Sequence, residues 1–320
     1  MPASILEFEK PIQELETKIS ELRNFSREKG IDLGNEIAIL ENRAREVREI
    51  IYSNLNPWQK VLIARHPERP NTYDYIKYLL TDFIELHGDR LFGDDPAVVG
   101  GIGRFRGRAV TVLGHIKGKD TKENLSRNFG MAHPEGYRKG IRLMKQAEKF
   151  RRPVFCFIDT SGAYPGMGAE ERGQSEAIAR SITVMSTLKV PVLVVVIGEG
   201  GSGGALAFGV GDHILLLEHA IYSIISPEGY ASILWKDASR AREAAEALKL
   251  TAQDLLELGV ADQVLPEPVG GAHRDPEGAA RMLGEALAAA LDELTGVDPE
   301  VLVARRYEKF RVIGSPVNAN

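Results

Sequence analysis

The middle of the chain writes one plan twice. Arg152-Pro-Val-Phe-Cys-Phe-Ile-Asp-Thr-Ser-Gly-Ala-Tyr-Pro-Gly166 and Val190-Pro-Val-Leu-Val-Val-Val-Ile-Gly-Glu-Gly-Gly-Ser-Gly-Gly204 each run Pro-Val, an unbroken apolar stretch, a glycine-bearing turn and then a helical pattern. An apolar run without polar alternation reads as a strand covered on both faces, the mark of a parallel sheet. Pro153 and Pro191 stand one strand-plus-helix unit apart, one layer of a repeating superhelix. The two glycine turns should therefore open on one side of the sheet, one layer apart, in an α/β domain.

The same reading extends along the chain. Strands are expected over Ala109 to His115, Pro153 to Asp159, Pro191 to Ile197, His213 to Leu217, Ile221 to Ile225 and Val260 to Leu265. Helices are expected over Glu135 to Phe150, Glu170 to Leu188, Gly204 to Val210, Tyr230 to Leu234, Ala238 to Leu248, Thr251 to Leu258 and Pro276 to Leu294. Before them, Ile12, Leu15, Ile19, Leu22 and then Ile37, Leu40, Ala44, Val47, Ile51 repeat at helical spacing about Gly30 and Gly34, which predicts a helical hairpin. Its two narrow stripes bury each other and little else, so the arm should pack on a second chain or on the domain behind it. Pro57 and residues 65–70 read as a linker, Tyr73 to Leu86 as one helix, and Arg305 to Arg311 as a basic surface tail. The expected division is an N-terminal hairpin over 1–56, a main domain over 57–295 and a C-terminal tail over 296–320.

Charge and cysteine content narrow the classes. A net charge of −5 gives no hint of a nucleic-acid partner, and the lone Cys156 can form neither an intrachain disulfide nor a multi-thiolate metal site, so no metal is expected. The first residues are acidic where a secretory leader is basic, and the longest apolar run is about half a membrane span. A soluble, cytoplasmic protein is expected.

The stretch Gly198-Glu-Gly-Gly-Ser-Gly-Gly204 fits several patterns at once. Gly198-x-Gly200-x-x-Gly203 matches the dinucleotide fingerprint, with Glu218 where a ribose-binding acid belongs, as in a NAD-dependent oxidoreductase. Gly200-x-Ser202-x-Gly204 matches a hydrolase nucleophile elbow, for which His273 alone is far enough downstream to follow in Ser, acid, His order. A phosphate loop fails, because no Lys-Ser or Lys-Thr closes the run. Common to these patterns are unpartnered N–H groups at a helix start, which favour negative charge. The sister turn Asp159-Thr-Ser-Gly-Ala-Tyr-Pro-Gly166 sets the chain apart from both: two amide-presenting turns suggest two oxyanions, or one shared between the loops.

Residues 159–180, 198–207 and Tyr-Ser-Ile-Ile-Ser-Pro-Glu-Gly at 222–229 closely resemble the carboxyltransferase alpha subunits of bacterial acetyl-CoA carboxylases, and the likeness runs from Phe8-Glu-Lys-Pro-Ile to Arg-Tyr-Glu-Lys-Phe310. Leu255-Leu-Glu-Leu-Gly-Val-Ala-Asp-Gln-Val-Leu-Pro266 is similar to a helix-then-strand signature of crotonase-type folds. The resemblance implies a crotonase-like (ClpP/crotonase) ββα superhelix that moves a carboxyl group from carboxybiotin to acetyl-CoA, giving malonyl-CoA for fatty acid synthesis. It also implies a zinc-ribbon beta subunit in an alpha-two, beta-two assembly, with biotin carboxyl carrier protein and biotin carboxylase as further partners. A propionyl-CoA enzyme of the same fold remains an alternative.

Two oxyanions form in that reaction, so the expected catalytic groups are backbone donors: Gly203 and Gly204 at the helix entry, with Gly162 and Ala163 on the sister turn. Ser161, Tyr164, Gly200, Gly201 and Ser202 are expected substrate contacts. Lys117 and Lys119, the first of six cations that continue through Lys122, Arg127, Arg138 and Lys139, could meet the phosphates of coenzyme A or a carrier surface, although intervening acids make a solvated face equally plausible.

Overall fold

A computed structural model describes residues 6–314; residues 1–5 and 315–320 of the expected terminal segments lie outside the described residues. The hairpin forms as expected from α1 (Lys10–Lys29) and α2 (Gly34–Ser53), with Ile12, Ile19 and Ala44 buried along the seam and Gly30 closing α1 at φ 64°. Its root is anchored: Ile12 and Tyr52 pack with Ile63 of α3 (Pro57–Ala64) in one buried cluster. The expected linker after α3 is instead interior, with His66 and Arg69 buried.

The helix expected over Tyr73 to Leu86 is half strand. After α4 (Thr72–Leu79) the chain extends as β1 (Leu80–Glu85), which pairs antiparallel with β2 (Val98–Phe105). Asp82, at φ 53°, marks the bulge where the register shifts. Local helical spacing lost here to tertiary pairing. β2 gives a weak signal because three of its eight residues are glycine; Gly101 is needed because a side chain there would strike the Ile84 carbonyl and the Phe83 ring. A tight turn at Arg106 and Gly107, both at positive φ, leads into β3 (Arg108–His115).

From β3 onward the expected alternation holds. It runs α5 (Thr121–Ser126), α6 (Pro134–Lys149), β4 (Val154–Thr160), α7 (Met167–Glu171), α8 (Gln174–Thr187), β5 (Val192–Gly201), α9 (Ser202–Leu206), β6 (His213–Leu217), β7 (Ile221–Ser223), α10 (Pro227–Trp235), α11 (Ala241–Ala247), α12 (Ala252–Glu257), β8 (Gln263–Leu265), α13 (Pro276–Leu294) and α14 (Pro299–Val312). Gly173, at φ 81°, breaks the expected helix over Glu170 to Leu188 into α7 and α8.

The sheet is ordered β1-β2-β3-β4-β5-β6-β8, antiparallel as far as β3 and parallel beyond it. β4 and β5 lie side by side, Val154 opposite Val192, and both are wholly buried. Their glycine turns therefore leave the same edge of the sheet. β5 continues past its pairing with β6, and its last residues, Glu199 to Gly201, pair with β7.

The C-terminal segment is not a loose basic surface. Arg306 of α14 is buried, pairs with Asp212 at 2.6 and 2.9 Å, and donates to the carbonyls of Met185, Leu188 and Val190. Those partners consume a guanidinium that sequence places on the outside.

Candidate active site

Glycine run and sister turn meet main chain against main chain. A side chain at Gly201 would overlap the Ser161 carbonyl, and one at Gly204 would overlap the Gly162 carbonyl carbon and lie 2.5 Å from Ala163 N. This close approach is what the glycines are for. Gly162 itself sits at φ 153°, a conformation side-chain-bearing residues avoid.

The expected helix after the run is shorter and earlier than sequence implies. Gly198 to Gly201 are strand, Ser202 turns the chain at φ 52°, and α9 has only five residues. Gly203 and Gly204 are in its first turn, where N–H groups have no intrahelical partner. A helix this short carries little dipole, so individual amides are the electrostatic resource. Ala163 N–H also has no partner among the described residues, whereas Gly162 N–H is taken by Thr160 Oγ1 at 3.2 Å. Of the four expected donors, Gly162 has its N–H taken up within the turn, while those of Ala163, Gly203 and Gly204 have no such partner among the described residues. Gly200 and Gly201, expected substrate contacts, are buried strand residues whose open sides are filled by Tyr222 and Ser161.

Supports surround the sister turn. Tyr164 N–H donates to Ala132 O, Gln174 Nε2 donates to Ala132 O at 2.8 Å and Tyr164 O at 2.9 Å, and the Tyr164 ring stacks on His133. Ser161 and Ser202 are exposed at the two turn tips.

At the base of the turns lies an ionic network. Lys117 Nζ is 3.0 Å from Asp159 Oδ1 and 2.9 Å from Glu199 Oε2, and Arg65 binds Glu199 at 2.7 Å and Glu228 at 2.7 Å. Burial alone would raise the Glu199 carboxyl, but the charges of Lys117 and Arg65 bring it down to about 2. Burial likewise disfavours the Lys117 ammonium, yet Asp159 and Glu199 hold it above its ordinary value. Sequence missed Arg65 and Glu199; the signal was the one acid within the glycine run and its counterpart, Asp159, at the head of the sister turn.

The expected cationic cluster is dispersed. Lys117 is half-buried between Asp159 and Glu199 at the charged cavity, Lys119 pairs with Asp74 at 2.8 Å, Arg127 with Glu123, and buried Lys139 with Asp94 at 2.6 Å. Two cavities flank the turns. A charged one of about 260 Å³ is lined by Arg65, Asn71, Lys117, Lys119, Ser161 and Glu199 among others; an apolar groove of about 410 Å³ is walled by Gly203, Leu206, Tyr222, Ile224, Phe310 and Ile313.

Geometry disposes of the two generic motifs. In the dinucleotide pattern Gly198 and Gly200 should be turn, but they are strand, and Glu218 is turned away to accept the Glu267 N–H at 3.1 Å. For the hydrolase pattern, no histidine among the described residues lines the groove beside Ser202, and His273 stacks on His66 at 4.2 Å. Burial, then the charge of Lys117, brings His115, which lies behind α9 against Phe208, down to about 3.

A largely parallel sheet with paired glycine turns at one edge has the crotonase fold found in carboxyltransferases. Solved structures of that fold are similar: transcarboxylase 12S aligns with a TM-score of 0.57 at 19% identity, covering 70% of this chain and 41% of that one. A Pseudomonas malonate decarboxylase hetero-dimer aligns at 0.55 with 17% identity, covering 68% of this chain and 89% of that one. The chain belongs to the acetyl co-enzyme A carboxylase carboxyltransferase-like family, whose model matches residues 5–314. It is 60% identical over 309 residues to the acetyl-coenzyme A carboxylase carboxyl transferase subunit alpha of Heliobacterium modesticaldum, covering 97% of this chain and 92% of the relative. The subunit alpha of Geobacillus sp. (strain WCH70) is 61% identical over 309 residues, covering 97% and 95%. The chain is thus a carboxyltransferase component of acetyl-CoA carboxylation. Among the described residues no helix is long and apolar enough to cross a membrane, and no group of three His, Cys, Asp or Glu is placed to hold a metal.

Proposed function

We propose that this chain builds one oxyanion hole, from the N–H groups of Ala163, Gly203 and Gly204, and that the reaction's second hole lies on a partner subunit. The carrying observation is the main-chain contact of Gly201 and Gly204 with Ser161 to Ala163, which merges two turns into one site. Carboxyl transfer from carboxybiotin breaks the N–C bond to release CO2, leaving the electron pair on the ureido group. That nitrogen takes a proton from the acetyl methyl, and the resulting thioester enolate forms the C–C bond of malonyl-CoA. Negative charge thus develops on the ureido oxygen and on the thioester oxygen, and each needs donors.

The hole of this chain is assigned to the ureido oxygen. Among the described residues no charged side chain lines the groove beside Gly203, which suits an uncharged bicyclic ring and its alkyl chain better than the phosphates of coenzyme A. Ser161, Ser202 and Tyr164 border the hole as substrate contacts, and Lys119 stands at the rim of the charged cavity. The partner is a beta subunit with a zinc ribbon, which the single Cys156 here cannot supply, in an alpha-two, beta-two enzyme served by biotin carboxyl carrier protein and biotin carboxylase.

The test is the reverse reaction, malonyl-CoA plus a free biotin derivative, followed as acetyl-CoA formed by this chain alone, by the beta subunit alone and by both. Turnover only with both chains supports the shared site. Turnover by this chain alone would overturn it.

A further inference from the structure

Asp159 and Glu199 occupy equivalent places at the heads of the two turns, and one side chain joins them. Lys117 Nζ lies within 3.0 Å of Asp159 Oδ1 and 2.9 Å of Glu199 Oε2, while the Glu199 N–H donates to the same Asp159 oxygen at 3.0 Å. The carboxylates are nearly sealed from water, with side chains 9% and 7% exposed. Arg65 serves Glu199 from the other side but is shared with Glu228; among the described residues Lys117 is the only cation in an ion pair with Asp159.

Such an arrangement has two effects. Spacing is fixed, because one ammonium bonded to both turn heads sets how far β4 and β5 splay where Gly204 rests on Ala163. Charge is balanced as well: without Lys117 two buried carboxylates would lie beneath a hole meant to receive negative charge, and at low effective dielectric that repulsion is large. A phosphate contact would have to compete with two carboxylates already in place.

We propose that Lys117 is a positioning residue for carboxyl transfer, locking the two glycine turns together and cancelling the acidic charge beneath their donors. This rests on the reading that Ala163, Gly203 and Gly204 hold an oxyanion. Lys117 does not touch the substrate, so its removal acts on turnover and leaves affinity for malonyl-CoA in place.

The experiment is steady-state kinetics of the reverse reaction on the assembled enzyme, with kcat and KM for malonyl-CoA measured separately. Lys117→Met is expected to lose about 10²-fold in kcat, the scale of a disabled oxyanion donor, with KM nearly unchanged. Lys117→Arg should retain most of the rate. Lys117→Met combined with Glu199→Gln should recover about tenfold over the single variant yet stay below the unaltered enzyme, because one carboxylate is removed but the tie is not restored. Should Lys117→Met fail to assemble, the double variant carries the test, and full kcat there overturns the proposal. A raised KM with unchanged kcat in Lys117→Met would make it a phosphate contact instead. Gly203→Val in the same assay separates the two readings: if it is inactive while Lys117→Met is normal, the donors stand and the role of Lys117 falls; if Gly203→Val turns over normally, the oxyanion reading itself falls.

Discussion

Arg69 and Glu267 meet as a fully buried bidentate pair, Nη1 to Oε2 at 2.9 Å and Nη2 to Oε1 at 2.6 Å. Arg69 Nε donates to the Ile197 carbonyl at 2.6 Å, one residue before the glycine run, while Glu267 accepts the N–H groups of His219 and Ala272. Removing one partner strands a buried charge. Glu267→Ala is expected to destabilise the chain by about 3–5 kcal/mol, read as a lower urea midpoint at unchanged slope, and Arg69→Met with Glu267→Leu should cost less than that single change. Burial would raise the Glu267 carboxyl, but Arg69 brings it from 4.5 down to about 2. Its contribution is therefore complete above about pH 4.5 and fades as pH falls toward 2.

His273 predicts an acid sensitivity that sets in at higher pH. Burial first, then the charges of His66, Arg69 and Arg274, bring it down to about 3 against an ordinary 6.5, with Glu267 opposing them. A histidine kept neutral by folding stabilises fully above the unfolded value and progressively less below it. Between pH 6.5 and 4 unfolding free energy should fall by up to about 1.4 kcal/mol per pH unit from this residue. His273→Gln should flatten urea midpoints across that window; an unchanged slope would remove His273 as the cause.

Gly203 and Gly204 should respond differently to a methyl group. Among the described residues nothing lies nearer than 3.7 Å to a side chain at Gly203, so Gly203→Ala should change stability by less than about 0.5 kcal/mol. Gly204→Ala must push the sister turn away, at about 1–3 kcal/mol, and should lose turnover through the displaced donors. Thermal midpoints and reverse-reaction rates on the same preparations check both. A larger Gly204→Val change would test packing as much as chemistry.

The hairpin is better probed at its surface than by deletion. Excising 1–56 would strip Ile12 and Tyr52 from buried Ile63, mixing folding with association. Ile39 and Ile50 lie on one face of α2 and are 68% and 60% exposed. If that face meets another chain, Ile39→Asp with Ile50→Asp should weaken assembly about tenfold, a loss of about 1.4 kcal/mol in binding, while leaving the melting of this chain alone nearly unaltered. Unchanged assembly by analytical ultracentrifugation would exclude it.

Periodicity made β4, β5 and β6 readable because covered parallel strands are apolar on every residue, and α13 because its spacing is regular between Pro276 and Leu294. It failed where partners decide. β1 follows a helix without a break and becomes strand only through β2, whose glycines mute its own signal. At the site, glycines announced close approach but not what approached, and charge counting offered Lys117 to phosphates or solvent and Arg306 to the surface when their carboxylates, Asp159, Glu199 and Asp212, come from distant elements. Gly162 has the same cause: its amide belongs to Thr160, a geometric fact with no sequence pattern.

Phe310 and Ile313 wall the apolar groove, and α14 is pinned there by Arg306. The far end of α14 is consequently a wall of that groove and not a trailing surface: any shift of the helix on its Arg306 anchor changes the shape of the groove beside Gly203.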